Sequence, residues 1–417
     1  MPALLAGPFL RTTLANFFFF LSFASYFLLP LHIRALGGAE SAVGAVMGAA
    51  GLASLAVLPL VGLSIDRLGR RVFLMLGAAG MTAASAGFLF VDHIGPMLFF
   101  LRMLQGLSFA AAFTATTTYA AEFAPVERRA QALGVFGLST LLTHAIAPIV
   151  GEEIVHRAGF HALFALTMAY TTVALLLALR LPGNGAVRVA AAASARRLRP
   201  IHWVIAGTMT LSGMGFGSVM TFMPTYVTSE GFGRVAFFFA AYTATAILTR
   251  LVGAGLSDTL GRRRVILPML LTLGLSIFWL AFVHSVPLLV AAGALFGTAQ
   301  GISYPTLHAF LVDLASEAQL GRSQALFNGA FNLGVTTSAF AFGFVAEHFG
   351  HRQMFILSSL MPVAAFIVFY LGTAPYAKTG AHLDVDDQSR YGSDPTAAAG
   401  HGDLATRLAE YRVRMPA

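Results

Sequence analysis

The chain has 417 residues, of which 57% are hydrophobic and only 11% are charged, and its mean hydropathy is +0.76. A soluble domain usually carries about 25% charged residues, so this composition excludes an ordinary soluble protein and indicates a membrane protein. The sequence contains no Cys, which excludes disulfides, thiol catalysis and thiolate metal sites. The net charge of +8 comes from arginines in short loops, a distribution that does not favour nucleic-acid binding.

Twelve apolar segments follow one another along the chain. Each is long enough to cross a hydrocarbon layer about 30 Å thick as a helix of about 20 residues. The sequence therefore predicts an all-α membrane protein with 12 transmembrane helices. The segments lie near residues 10–30, 42–63, 72–91, 97–119, 133–154, 160–181, 202–227, 235–256, 265–284, 287–310, 326–346 and 354–373.

Arginine is concentrated in the loops that follow the even-numbered segments. These loops hold Arg67, Arg70, Arg71, Arg128, Arg129, Arg188, Arg196, Arg197, Arg199, Arg262, Arg263, Arg264 and Arg322. The loops after the odd-numbered segments hold Arg34, Arg157, Arg234 and Arg352. Because arginine-rich loops stay on the cytoplasmic side, both termini are predicted to be cytoplasmic, in a plasma (bacterial inner) membrane.

The sequence also repeats itself. Three short matches occur in order, at offsets of 192, 195 and 193 residues: Asp66 with Asp258, Gln105-Gly-Leu-Ser108 with Gln300-Gly-Ile-Ser303, and Arg129-Ala-Gln-Ala-Leu133 with Arg322-Ser-Gln-Ala-Leu326. They predict two similar six-helix halves, 1–181 and 201–374, joined by a cytoplasmic linker at 182–200. A polar tail at 375–417 is expected to be mostly disordered.

The loop Gly62-Leu-Ser-Ile-Asp66-Arg67-Leu-Gly69-Arg70-Arg71, with its degenerate copy around Asp258, resembles the loop motif of the major facilitator superfamily. The resemblance covers roughly residues 10–374 and implies secondary transport by alternating access. Asp66 is expected to accept charge-assisted hydrogen bonds from Arg128 and Arg129, and so to latch one arrangement of the helices. The predicted gating residues are Gly62, Asp66, Arg67, Gly69, Arg70, Arg71, Arg128, Arg129, Asp258, Gly261, Arg262 and Arg263.

Two further stretches are similar to motifs of proton-coupled members. Arg102-Met-Leu-Gln105-Gly106 resembles the Arg-containing fourth-helix motif, and Ala147-Pro148-Ile-Val-Gly151 partly resembles the antiporter motif. The resemblance favours the drug and metabolite exporter branch. A charge inside a membrane segment needs compensation, so Arg102 is expected to pair with Glu152 or Glu153, one of which would hold a proton.

Other assignments leave alternatives open. The two glutamates could instead face outside water, and His144 in the fifth segment could be a proton carrier or a hydrogen-bonding helix contact. Arg250 could pair with Asp258 or a loop carbonyl, or it could bind an anionic group of the substrate. His308 and Asp313 are weaker candidates.

By analogy with the family, polar residues on the first and fourth helices of each half are predicted to face a central cavity. Asn328 and Asn332 join them because their spacing places both on one helix face. Such donors in an aromatic-rich bundle suit a moderately apolar or weakly acidic solute. The predicted cavity residues are Asn16, Tyr26, Gln105, Thr114, Thr117, Thr221, Tyr226, Arg250, Gln300, Tyr304, Asn328 and Asn332.

The sequence contains no catalytic, ATP-binding or metal-ligand motif, so no enzyme, cofactor or metal site is predicted. We expect a monomeric secondary transporter that uses protons to export a small organic compound. The alternatives are uptake of an organic acid or sugar, by symport or uniport, and a membrane sensor or scaffold that does not transport.

Overall fold

The computed structural model describes residues 7–125, 128–183, 198–253, 255–315 and 317–377, and nearly all of them are helical. Most of the predicted linker and tail lies outside these residues. The helices, in chain order, are α1 (Gly7–Ser25), α2 (Leu29–Ala35), α3 (Glu40–Leu68), α4 (Arg70–Phe88), α5 (Pro96–Phe123), α6 (Arg129–Leu179), α7 (Pro200–Glu230), α8 (Val235–Val252), α9 (Leu256–Leu260), α10 (Arg262–Leu280), α11 (Val286–Leu314) and α12 (Glu317–Ala377).

Ten helical stretches in the described ranges are long and apolar enough to cross a membrane. Helices suit this environment because they satisfy their backbone polar groups internally. The stretches in α6 and α12 are 49 and 54 residues long, and each is broken at a glycine with non-helical dihedral angles, Gly159 or Gly350. Each of these two helices therefore crosses twice. The prediction of twelve crossings is confirmed, with α1, a 3-10 turn at Tyr26–Leu28 and α2 forming the first crossing.

The sequence repeat reappears in the backbone. Gly69, between α3 and α4, has φ 88° and ψ 145°, and Gly261, between α9 and α10, has φ 88° and ψ 136°. Residues with a side chain rarely adopt a positive φ, so the same turn requires glycine in both copies. We call this end of the bundle, with the arginines that follow the two turns, the basic end.

The buried cores show how the two halves, α1–α6 and α7–α12, are arranged. At the opposite end, where α3 and α8 begin, one core contains residues of both halves, such as Leu28 and Leu98 with Phe238 and Phe355. At the basic end each half has a separate core. The halves are therefore packed together at the opposite end, which we call the closed end, and they diverge toward the basic end.

Candidate functional site

A cavity of about 340 Å³ lies between the two halves, within the size range of sites for small organic ligands. It extends toward the basic end, where a Cβ atom added to Gly137 of its lining would have no neighbour within 4 Å. Its polar lining consists of Ser54, Arg102, Thr140, His144, Thr221, Tyr242, Arg250, Gln300, Tyr304, Asn328, Asn332 and Thr336.

Arg250 on α8 lines this cavity with no partner among the described residues. Its Nε atom is buried without a hydrogen bond. The predicted partner Asp258 forms an ion pair with Arg262 instead. Pairing between Arg250 and Asp258 is therefore not formed, because α8 ends at Val252 and Asp258 lies on the separate short helix α9.

Arg102 on α5 also lines the cavity, but its guanidinium group is held by neutral acceptors. It donates to Gln105 Oε1 at 2.6 Å and to the carbonyl oxygen of Val46 at 3.4 Å, and its Nη2 lies 3.5 Å from Met47 Sδ. The side chain points toward α3, away from the outer part of α6. The predicted pair of Arg102 with Glu152 or Glu153 is therefore wrong.

The two glutamates lie instead at the closed end, where they join the halves. Glu152 accepts hydrogen bonds from the backbone N–H groups of Val235 at 3.1 Å and Ala236 at 2.9 Å. Glu153 pairs with Arg234 at 2.7 Å and with Arg157 of its own helix. Because a helix N-terminus carries partial positive charge, Glu152 caps α8 from the other half.

A second cap occurs at the equivalent place in the repeat. Glu347, 195 residues after Glu152, accepts the backbone N–H of Ser41 at 3.0 Å. Near it, Glu40 accepts a hydrogen bond from Thr225 at 3.1 Å and lies 3.4 Å from His351 Nε2. The closed end is thus held by two acid-to-helix contacts that cross between the halves in opposite directions.

His144 lies at the end of the cavity that is nearest the closed end, where the two halves meet. Its Nδ1 atom is 3.4 Å from the Tyr242 hydroxyl of the second half, and its ring packs edge-on against Phe27 with the centroids 5.4 Å apart. Phe27 in turn stacks on Phe239 at 5.5 Å. This contact layer separates the cavity from the closed end.

The predicted gating residues of the basic end make contacts within their own halves. Arg70 pairs with Glu122 at 2.8 Å, and Arg262 bridges Asp258 and Asp313, the second at 3.1 Å. Arg71 donates to the Leu179 carbonyl, Arg263 lies over the Tyr370 ring, and Arg128 is exposed. The side chains of Asp66, Arg67 and Arg129 lie outside the described part, so the predicted latch to Asp66 stays a prediction.

Half of the predicted cavity residues line the cavity: Thr221, Arg250, Gln300, Tyr304, Asn328 and Asn332. The other six do not line it, because their polar atoms bond inside one half. Asn16 bonds Thr116 and Thr140, Tyr26 bonds Ser85 and Thr167, Gln105 holds Arg102, Thr114 and Thr117 bond carbonyls of their own helix, and Tyr226 bonds the carbonyls of Leu280 and Val283. His308 packs against Phe327.

The sequence analysis missed an aromatic group in the lining: Phe20, Phe23, Phe27, Phe109 and Phe113. Their spacing of three or four residues along the first crossing and α5 is the signal that could have identified a common face. The same helices are rich in Phe all round, however, and this hides the pattern.

Comparison with known proteins agrees with this architecture. A profile of the Major Facilitator Superfamily matches residues 12–240 and 205–399. The staphylopine export protein of Staphylococcus aureus is 23% identical over 396 residues, covering 89% of this chain and 97% of that protein. An uncharacterised transporter of the superfamily from Burkholderia pseudomallei is 26% identical over 361 residues, covering 83% and 87%.

Two solved structures share the fold. A D-xylose-proton symporter matches with a TM-score of 0.74 at 16% identity, covering 87% of this chain and 96% of its own. The nucleoside transporter NupG matches with a TM-score of 0.72 at 14% identity, covering 88% and 100%. With two profile matches that together span most of the residues, and a duplicated twelve-crossing bundle around a central cavity, this chain belongs to the Major Facilitator Superfamily and is a membrane transporter.

Proposed function

We propose that this transporter exports a small organic anion from the cytoplasm in exchange for protons. The observation that carries the proposal is Arg250, a guanidinium group at the cavity wall with no described partner. A partly buried cation without a partner is costly, and an anionic ligand removes that cost when it binds. The planar guanidinium fork matches a carboxylate especially well.

The rest of the cavity supports an anion. Its described lining contains two arginines, one histidine and no carboxylate. The hydrogen-bond partners of Arg102 among the described residues are uncharged, so the positive charge of the cavity is not neutralised locally. A cationic substrate would therefore meet repulsion here.

Export is supported by three arguments. The similar protein from Staphylococcus aureus is named as an exporter, and its alignment covers nearly the whole chain. Because arginine-rich loops stay in the cytoplasm, the basic end is the cytoplasmic end, and the cavity extends toward it. A membrane potential that is negative inside also drives anions outward, by about 2.3 kcal/mol per charge per 100 mV.

We assign proton exchange to Glu152. Its ionised carboxylate caps α8 across the two halves, whereas a protonated carboxyl group loses the attraction to the helix dipole. The charged groups facing it are Glu153 of its own helix and Arg234 before α8. Protonation from outside would weaken this contact and allow the halves to separate at the closed end, while the basic-end loops close the cytoplasmic side. For exchange, the proton then leaves Glu152 toward the cavity, past His144 of the contact layer, before Glu152 caps α8 again.

The proposal is tested with full-length protein in liposomes that contain phenylsuccinate and a pH-sensitive dye. Phenylsuccinate carries two charges at neutral pH and crosses lipid slowly. After dilution into buffer without the acid, we expect it to leave as protons enter, so the lumen acidifies. Arg250→Gln should abolish this change. Arg352→Gln, which removes an exposed arginine of the same half, should retain it.

Other outcomes contradict the proposal in distinct ways. Efflux that survives in Arg250→Gln contradicts the role of Arg250 in binding. Anion efflux without proton entry contradicts proton exchange. No movement of phenylsuccinate contradicts transport of this kind of anion.

A further inference from the structure

The two walls of the cavity have different chemistry. The first half contributes five phenylalanines: Phe20 and Phe23 from α1, Phe27 from the 3-10 turn that follows it, and Phe109 and Phe113 from α5. The second half contributes most of the polar groups, from α7, α8, α11 and α12. The second half also contributes the rings of Phe216, Tyr242, Tyr304 and Phe331, so the difference lies in the polar groups. A wall of phenylalanine rings that faces a wall carrying most of the hydrogen-bond donors suits a molecule with one apolar end and one polar end.

The phenylalanines form a continuous aromatic wall. Phe109 stacks on Phe23 with centroids 4.6 Å apart and on Phe113 at 5.4 Å, with interplanar angles of 27° and 12°. Phe20 packs edge-on against Phe109 at 5.8 Å and Phe113 at 5.7 Å. Phe23, Phe109 and Phe113 are half-buried, so they retain surface toward the cavity on which a planar ring can pack.

The opposite wall, which carries Arg250, holds further donors that the fold leaves free. The side-chain amides of Gln300 and Asn332 line the cavity and make no hydrogen bond to any residue in the described ranges. Tyr304 donates to Asn328 Oδ1 at 3.2 Å, which orients the Asn328 amide and leaves its N–H groups available. Together with Arg250, these amides can satisfy the oxygens of a carboxylate.

We infer that the substrate is an aromatic carboxylate, with its ring on the aromatic wall of the first half and its carboxylate on Arg250 and the amides of the second half. This inference rests on the proposed function and narrows its substrate class. If the inference is right, a carboxylate that carries an aromatic ring binds more tightly than one without a ring. The added affinity comes from packing of the ring on the phenylalanines of the first half.

The test compares phenylsuccinate with succinate, which differ by one phenyl ring. Binding to the purified full-length protein is measured by titration calorimetry. We expect wild type to bind phenylsuccinate at least about fivefold more tightly than succinate. Phe109→Leu, which keeps an apolar side chain, should remove most of that preference and leave succinate binding unchanged. Phe100→Leu, on the same helix and 61% exposed, should change neither affinity.

Each other result overturns a defined part of the argument. Equal affinities for the two acids, with binding lost in Arg250→Gln, overturn the aromatic inference and leave the proposed function standing. A Phe109→Leu effect of equal size on both acids shows a structural role and also overturns the inference, and Phe113→Leu provides an independent check. No binding of either acid, or binding that survives in Arg250→Gln, overturns both proposals.

Discussion

Glu152 and Glu153 are neighbours in sequence, yet their carboxylates have different surroundings. Glu152 is half-buried and holds two backbone N–H groups of α8. The Glu153 side chain is 34% exposed and pairs with arginines that are 50% and 75% exposed. Exposed ion pairs contribute about 0–1 kcal/mol, whereas a partly buried charge at a helix terminus contributes up to about 2 kcal/mol. The two residues should therefore respond differently to neutralisation.

We predict that Glu152→Gln uncouples transport from protons. The amide keeps the shape of the side chain and cannot gain or lose a proton, so exchange of internal for external phenylsuccinate should continue. Net efflux linked to acidification should fall to the level of protein-free liposomes. Labelled phenylsuccinate and the internal dye measure the two activities in one preparation.

Glu153→Gln is the matched control, and it should retain both activities because its ion pairs are exposed. Proton entry that persists in Glu152→Gln would assign coupling to another group. Loss of both activities in Glu153→Gln would show that any change at this position disturbs the closed end.

Single residues were predictable from the sequence where helix spacing alone decides their face. Asn328 and Asn332 are an example: their spacing of four residues predicts that they share one face of the helix, and both line the cavity. Arg102 is a counterexample, because its depth in the membrane matched that of Glu152 but its rotamer points to α3. The Tyr26 side chain also points away from the cavity, and its hydroxyl group bonds Ser85 and Thr167 inside the first half. In helices that are apolar on all sides, the sequence does not show which side of the helix lines the cavity.

At the scale of elements, α3 and α12 approach each other closely near the closed end. A Cβ atom on Gly44 would lie 2.1 Å from the carbonyl oxygen of Ala339, and one on Gly48 would lie 2.4 Å from the Phe340 ring. Small residues permit such approach between membrane helices. The contact crosses between the halves, so it exists only while this end is closed.

We therefore predict that Gly44→Ala shifts the transporter toward opening of the closed end. The neighbour of the added methyl group is backbone, which cannot rotate away, and the halves must separate to accommodate it. Because the sequence has no Cys, spin labels can be placed at His93→Cys and His284→Cys, two exposed loop positions of this end in opposite halves. Double electron–electron resonance measures the distance between the two labels. It should show a larger fraction of molecules with a long distance in Gly44→Ala than in the unmutated background.

Gly207→Ala provides the control, since its added Cβ atom contacts only Val368, at an ordinary 3.7 Å. The distances between the spin labels in this variant should match those of the unmutated background. An unchanged distribution in Gly44→Ala would mean that the helices relax locally, and the tight contact would then not govern the closed end.

At the scale of the whole molecule, the sequence predicted the architecture well and the conformation not at all. Apolar length fixes the crossings, and the turns at Gly69 and Gly261 need glycine in both halves, so the duplication is visible in the order of the amino acids alone. Which end is closed depends on contacts between halves, such as that of Glu152 with α8. Those contacts join residues far apart in sequence and leave no periodic signal. The polar lining also breaks the symmetry, since most of its residues lie in the second half.

The direction of transport leads to a prediction about the charge moved in one cycle. When a dianion leaves and protons enter, both movements carry net positive charge into the liposome. A potential of 100 mV therefore contributes about 4.6 kcal/mol for the dianion alone. A potassium diffusion potential that is negative inside the liposomes should therefore accelerate phenylsuccinate efflux, and the opposite potential should slow it, whichever way the protein is inserted. Efflux from liposomes that contain the Arg250→Gln variant measures passive leakage of phenylsuccinate, and this rate is subtracted. Uptake of the dianion with two protons would move no net charge, so efflux that ignores the potential would contradict export by exchange and favour symport.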